Sequence, residues 1–411
     1  MHAARAASGE CEYRGIAEVH RQPRFSLQWR IFALALGGVA IGVGEFVPMG
    51  LLPEIAGGVG VDEPGAGHAV SAYALGVVVG APLLAFVFAR ARRLRLLIGL
   101  MAAYLVGNLL SAVAPGYTTL IVARFIAGLP HGAYFGVAAL VAAEMAGATR
   151  RGWAVSRMML GLSIANVVGV PLATWLGQNF GWRSSFVCVA AIAALTIVAL
   201  AVLVPPVRTS DSASPFGELR ALRSREVWML LLTGAIGFGG LFSVYTYVAP
   251  TLTQRGGLDE SLVPIALAVF GLGMVAGNIA WGNVMDRNLT KAMYMILVST
   301  AGFLAIYALV STNALLTIVA LFFVATGGAL ASATQTRLMD VAGEAQTMAA
   351  ALNHSAFNVA NALGAFLGGL AITFGLGWQS TGWVGVGLAL LGIAIVAVTP
   401  RVTRQAARRA L

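Results

Sequence analysis

Charge is what this sequence has least of. Of its 411 residues only 10% are Asp, Glu, Lys or Arg, while 59% are hydrophobic. A water-soluble domain carries roughly 25% charged residues. So few charges cannot cover the surface of a globule of this size, and lipid is the natural solvent. Cysteine is scarce too. Cys11 and Cys188 exclude a disulfide scaffold, and Cys188, inside an apolar run, reads as a small packing residue. Lysine occurs once, at Lys291; with abundant Ala and Gly this reads as the codon bias of a G+C-rich bacterium. Enzyme signatures are missing: there is no His-Glu-x-x-His, no Cys-x-x-Cys pair, no Gly-x-Ser-x-Gly and no Walker loop. Gly271-x-Gly273-x-x-x-Gly277 has the wrong spacing for a nucleotide loop and lies within an apolar segment. The chain reads as a non-enzyme without a cofactor, and any uphill work must draw on an ion gradient or on a partner protein.

What is present is apolar length, repeated. Residues 1–30 are polar, with Arg5, Arg14, Arg21, Arg24 and Arg30, and show no signal-peptide pattern; they read as a retained, disordered tail. Segments of the roughly 20 residues needed to cross a bilayer then recur at 31–54, 67–89, 95–114, 118–141, 153–176 and 184–204. After a break they return at 227–250, 262–284, 292–311, 314–336, 347–373 and 379–399. The expected fold is all-α and integral to the membrane, with twelve spans in two pseudo-symmetric bundles of six (31–204 and 227–400), a linker at 205–226 and a tail at 401–411. Apart from Arg124, Arg183 and Arg255, every Lys and Arg falls on the side that carries both termini. The positive-inside rule therefore makes both termini cytoplasmic. The net charge of +10 then faces anionic lipid, and no nucleic-acid partner is expected.

The two halves share a register. A shift of 197 residues lays Pro53 on Pro250, Gly76 on Gly273, Gly80 on Gly277 and Arg90 on Arg287. Six-span repeats of this kind are expected of transporters that rock one half against the other. Gly76-xxx-Gly80 and Gly273-xxx-Gly277 provide small-residue faces for close helix packing.

Glu45, Arg124 and His131 lie inside spans, where ionisable groups are costly and usually functional. Glu45 sits about 13 Å deep in the first span, and Arg124 about 9 Å deep in the fourth, at 1.5 Å per residue. Matching depth suggests a pair, direct or through water. It serves either as a structural ion pair or as a carboxylate whose proton affinity a movable Arg switches. His131 follows Arg124 on the same face, in a stripe with Phe135 and with Tyr134 beside it, and reads equally as a proton relay or as a hydrogen-bonded shaper of the cavity. In the eleventh span His354, Asn358 and Asn361 share a face, as helix-to-helix hydrogen bonders or as ligand contacts. Phe238, Phe242, Tyr245, Phe270 and Met274 offer aromatic and thioether surface suited to apolar ligands, or to ordinary packing.

At the level of motifs, the chain resembles a major facilitator superfamily transporter. It is most similar to the proton-coupled drug antiporter branch that includes arabinose-efflux-permease-like proteins and chloramphenicol exporters. Arg124 followed by Phe125-Ile126-Ala127-Gly128-Leu129-Pro130-His131-Gly132-Ala133 resembles the fourth-helix motif of that branch. Glu45-Phe46-x-x-Met49-Gly50-Leu51-Leu52-Pro53 and Ser71-Ala72-Tyr73 through Pro82 resemble its first two helices. Ala165-Asn166-Val167-Val168-Gly169-Val170-Pro171 resembles the antiporter Gly-Pro motif, spelled Gly-Val-Pro here, and Gly181-Trp182-Arg183 resembles the usual start of the sixth span. The resemblance implies proton coupling through Glu45, Arg124 and His131. It also implies a substrate cavity drawing on Phe46, Met49, Tyr73 and Asn166 besides the residues above. For gating it implies Arg90, Asp286, Arg287 and a kink at Pro171. The loop signature has Asp286-Arg287 in the second half but Ala89-Arg90 in the first. Asp286 is expected to latch onto the start of the fifth span near Arg151 and Arg157, through charge and helix dipole.

These readings converge on a monomeric exporter of the bacterial inner membrane, exchanging protons for small amphipathic molecules such as antibiotics or sugars. Proton-coupled uptake of a sugar or nucleoside on the same scaffold, and a non-transporting receptor, are the alternatives.

Overall fold

The computed structural model describes residues 25–88, 91–206, 224–342 and 346–409. The expectations placed on residues 1–24, on Ala89 and Arg90 and on most of the linker lie outside them. Twelve of its helices are long and apolar enough to cross a membrane. The first half contains α1 (Leu27–Gly50), α2 (Glu63–Leu84), α3 (Arg93–Ala112), α4 (Tyr117–Ala146), α5 (Arg151–Phe180) and α6 (Trp182–Leu203). The second half contains α7 (Arg225–Thr246), α8 (Glu260–Arg287), α9 (Leu289–Val310), α10 (Ala314–Ala342), α11 (Leu352–Leu376) and α12 (Ser380–Thr399). Helices are what such a sequence must form, because no water is present in hydrocarbon to satisfy a free N–H or C=O. The side chains follow an inverted pattern. Val106, Ile279, Leu309 and Leu390 are exposed. Inside, Asn108, Ser111, Ser185 and Thr196 are buried and each donates to a main-chain carbonyl of its own half.

Helix ends follow local chemistry. α1 stops at Gly50, short of the expected 54, because Leu51 leaves the helical region (φ −116°, ψ 22°) and Pro53 opens a separate short helix, Leu52–Val59. At the other extreme the last helix runs on from Ser380 to Arg409. α5 contains one wide π turn, Ala165–Gly169, next to Pro171. Pro171 lacks the N–H that the carbonyl of Val167 would otherwise accept, so the ladder is re-spaced there.

Each half has its own apolar core. Phe46, Met49, Val70 and Val170 leave the first half to join the second-half core, and Tyr247 does the reverse. The 197-residue shift governs packing as well as spelling. A side-chain carbon on Gly76 would collide with the carbonyl oxygen of Phe125, and one on Gly273 with that of Phe322. Gly80 meets Leu129 and Gly277 meets Thr326 in the same way. Each partner lies 197 residues from its counterpart. The fourth helix of each half also breaks at one register. α4 is interrupted at Leu129–Pro130, and α10 by a tight turn at Thr326–Gly328.

An even number of crossings puts the start of α1 and the end of α12 at one end of the molecule, here the terminal end. Among the described residues, every hydrogen bond that joins the two halves lies at the middle or at the far end. At the far end Gln254 Nε2 donates to Glu63 Oε1 (2.7 Å) and Gln178 Nε2 to the carbonyl of Glu260 (2.9 Å). In the middle Ser71 Oγ donates to the carbonyl of Ala362 (3.3 Å). The ion pairs near the terminal end, Arg93–Glu144 and Arg337–Glu226, each stay within one half. The far end is sealed, and no hydrogen bond among the described residues closes the terminal end.

Candidate functional site

The site is built where α1, α2 and α4 of the first half meet α7, α8 and α11 of the second. Glu45 is 5% exposed, and its Oε1 accepts from Asn361 Nδ2 at 3.3 Å across the interface. Arg124 is fully buried. Its Nη2 donates to the carbonyl of Gly44 at 2.8 Å, and its guanidinium lies over the Tyr73 ring at 4.3 Å and the Phe186 ring at 5.4 Å. Glycines make this arrangement possible. Gly128, about one turn beyond Arg124, admits the backbone of α2 at Tyr73, where any side chain would strike the Tyr73 carbonyl. Gly44 leaves room for the Tyr104 hydroxyl, which donates to the carbonyls of Ala40 and Ile41 at 3.3 and 3.2 Å.

Of the two forms expected of the Glu45–Arg124 pair, the direct one is not formed. Among the described residues, the carboxylate–cation pairs within 4.0 Å are Arg93–Glu144 and Arg337–Glu226. Arg124 instead grips the carbonyl that precedes Glu45 and stacks on two rings, while Glu45 turns to α11. Arg124 Nε and Nη1 remain buried without a hydrogen-bond partner. An unpartnered buried donor is costly, so this guanidinium holds binding capacity that its present surroundings do not use.

A second polar thread leaves the same tyrosine. The Tyr73 hydroxyl lies 3.1 Å from His131 Nδ1. The His131 ring is 6.1 Å from that of His354 on α11, and His354 stacks on Phe135 at 5.1 Å with the planes 5° apart. Arg124, Tyr73, His131 and His354 therefore form a sequence of neighbours from the first half into the second. Beside them lies an aromatic wall. Phe46 is 6.3 Å from Phe242 and 5.8 Å from Tyr245; Tyr245 stacks on Phe270 at 3.9 Å; Phe238 is 5.4 Å from Phe242. Met49 is buried in the same core. Such faces suit a flat or apolar ligand held by non-directional contact.

Other expected residues stand elsewhere. Tyr134 is not beside the cavity but inside the first-half bundle, donating to the carbonyl of Leu34 (3.0 Å) in the space left by Gly37. Met274 packs against Gly328 between α8 and α10. Asn166 is buried and returns its amide to the carbonyl of Leu162, while its main-chain carbonyl stands where any side chain on Gly271 of α8 would collide with it. Asn358 does likewise with the carbonyl of His354. Asp286 and Arg287 are exposed, and neither side chain forms a hydrogen bond or ion pair with the described residues. The expected latch of Asp286 on the start of α5, near Arg151 and Arg157, is thus not engaged, as fits an end that no hydrogen bond among the described residues closes. Sequence reasoning passed over Phe186 and Tyr104, which pack around Arg124 and α1, and Phe357, 4.6 Å from Phe238. Nothing local marks the first two. Phe357 neighbours the polar stripe of α11 and its position was available.

The family model described as Major Facilitator Superfamily matches residues 34–340 and 250–410. The inner membrane transport protein YdhP of Escherichia coli (strain K12) is 38% identical over 91% of this chain and 97% of its own length. A chloramphenicol resistance protein of Streptomyces lividans is 32% identical over 90% of this chain and 95% of its own. Among solved structures, a D-xylose-proton symporter superposes with a TM-score of 0.72 over 90% of this chain and 96% of its own, at 15% identity, and so shares the fold. Twelve apolar helices in two bundles, packing repeated at one register and relatives matched over nearly their whole length place this chain in the Major Facilitator Superfamily, as a multi-pass membrane transporter.

Proposed function

We propose that the protein exports small amphipathic molecules from a bacterial cell in exchange for protons, its two halves rocking about the midplane site. The observation that carries this reading is Glu45: a carboxylate buried in a membrane span at the seam of the halves, held by one long hydrogen bond from the opposite half. A buried ionisable group at such a seam is a functional site by default. Arg124, one residue away through the Gly44 carbonyl and with two unused guanidinium nitrogens, is the counter-charge that would displace the proton when the halves move. With the termini in the cytoplasm, the hydrogen bonds between the halves at the far end support an inward-facing reading. Substrate enters from the cytoplasm or inner leaflet and rests on Phe46, Phe242 and Phe238. A proton taken by Glu45 on the far side returns the empty carrier. The relative named for chloramphenicol resistance supports both the outward direction and the class of cargo; sugars remain within that class.

The test is a resistance and accumulation screen in a deletion strain with amphenicols, sugars and nucleosides, with and without an uncoupler. Export predicts that deletion raises accumulation of at least one compound, and that uncoupling removes the difference. Loss of growth on a nutrient, with no change in sensitivity, would instead establish uptake.

A further inference from the structure

The far-end seal contains a carboxyl group that the midplane account does not use. Glu54 lies on the short helix Leu52–Val59, outside the spans. Its Oε2 is buried with no hydrogen-bond partner. Beside it is Gln178, at the end of α5, whose Nε2 crosses the seam to the carbonyl of Glu260 at 2.9 Å. The Gln178 Oε1 is also buried and unpartnered. Glu54 Oε2 and Gln178 Oε1 thus stand unpartnered in one small polar cluster, in which the Gln178 amide and the Glu54 N–H serve the rest of the carboxylate, and the cluster straddles the contact that keeps this end shut.

The charged groups on the neighbouring elements do not neutralise Glu54. Glu63 of α2 accepts from Gln254, and the Asp62 carboxylate accepts from the Gly65 N–H. Arg183 of α6 is held by the carbonyl of Ala114 and the ring of Trp182, and Arg255 donates to Ser311. On the facing segment of the second half Asp259 accepts from the Ser261 N–H and hydroxyl, and the exposed Glu260 beside it has the same sign as Glu54.

We propose that Glu54 is a second proton-binding site, distinct from Glu45, and that a proton bound there holds the far end of the transporter closed. A protonated carboxyl supplies the missing donor for an acceptor such as Gln178 Oε1 and removes the repulsion from Glu260 across the seam. Burial, with Glu260 adding to it, outweighs the hydrogen bonds from the Glu54 N–H and the Gln178 side chain and holds the Glu54 carboxyl above the usual carboxylate range in this sealed state. Separation of the halves would re-expose it to water and let it fall back. The linkage then has one sign: sealing is favoured fully below the open-state value and weakens as the pH on the far side rises through the sealed-state value. The far face, and not only the midplane, would thereby read the proton concentration outside.

The proposal extends the proton-exchange reading but is tested apart from it. Spin labels on the far-end loops of the two halves, in full-length protein in nanodiscs, report the far-end distance by pulsed dipolar spectroscopy between pH 5 and 9. We expect the short-distance population to fall at least threefold as pH rises. In Glu54→Gln, whose amide keeps a permanent donor, it should stay high throughout. Glu260→Gln should move the midpoint to lower pH, and Glu45→Gln should leave this far-end response in place. Glu54→Gln retaining the full pH response would overturn the proposal. So would a response abolished by Glu45→Gln alone, which would assign the far-end effect to the midplane carboxyl.

Discussion

At the scale of single residues, the seam rests on three ionisable side chains and the groups that hold them: Gly44 and Tyr73 for Arg124, Asn361 for Glu45 and Tyr73 for His131. Glu45, Arg124 and His131 stand out because an ionisable group in an apolar span is rare and expensive. Depth along two helices, however, says nothing about which way each side chain faces. Arg124 found the Gly44 carbonyl and the Tyr73 ring, and Glu45 found Asn361 on a helix 316 positions later in the chain. Tyr134 failed for a similar reason: one position from the cavity-facing stripe, it fills the space that Gly37 leaves in the bundle interior. Arg124→Lys keeps the charge but loses the planar stack on Tyr73, an interaction worth about 2 kcal/mol when desolvated. Proton-driven flux should drop by roughly an order of magnitude, with Arg124→Ala inactive. Equal flux in wild type and Arg124→Lys, at matched expression, would contradict a role for the guanidinium geometry.

Whole elements were the most legible level. Twelve apolar stretches became twelve helices, and the glycine register became the close approach of α2 to α4 and of α8 to α10. Helix ends were less legible, because they depend on backbone geometry such as that of Leu51 and on polar residues that extend a helix past its apolar part. The glycine argument makes a paired prediction. Gly277→Ala would press a methyl group into the carbonyl of Thr326, and overpacking of this kind costs about 1–3 kcal/mol. Gly99 in α3 is exposed and has nothing within 4 Å of such a methyl, so Gly99→Ala should be neutral or slightly stabilising. Thermal unfolding of the two purified variants should separate by several degrees, with Gly277→Ala the lower. The reverse order would show that the α8–α10 contact is not close-packed in the membrane.

For the molecule as a whole, the sequence specified two bundles and a seam but not the state of the seam. That state is set by contacts far apart in the chain, such as Gln254 with Glu63 and Gln178 with Glu260, which no local pattern announces. Asp286 illustrates the consequence. Its motif implies a latch, yet in this state its side chain is exposed and unpaired among the described residues. A cysteine introduced by Asp286→Cys, with Cys11 and Cys188 replaced, should react quickly with a membrane-impermeant maleimide from the terminal side. Its labelling should slow at least severalfold when the far end is held open; an unchanged rate would rule out closure at Asp286.

The central claim is that Glu45 carries the exchanged proton, and flux in reconstituted vesicles tests it most directly. Glu45→Gln keeps the shape and the bond to Asn361 but carries no titratable proton. The account predicts that a proton gradient drives substrate transport in wild type and produces no accumulation in Glu45→Gln, while substrate-for-substrate counterflow continues in both. Gradient-driven accumulation by Glu45→Gln at the wild-type rate would contradict it.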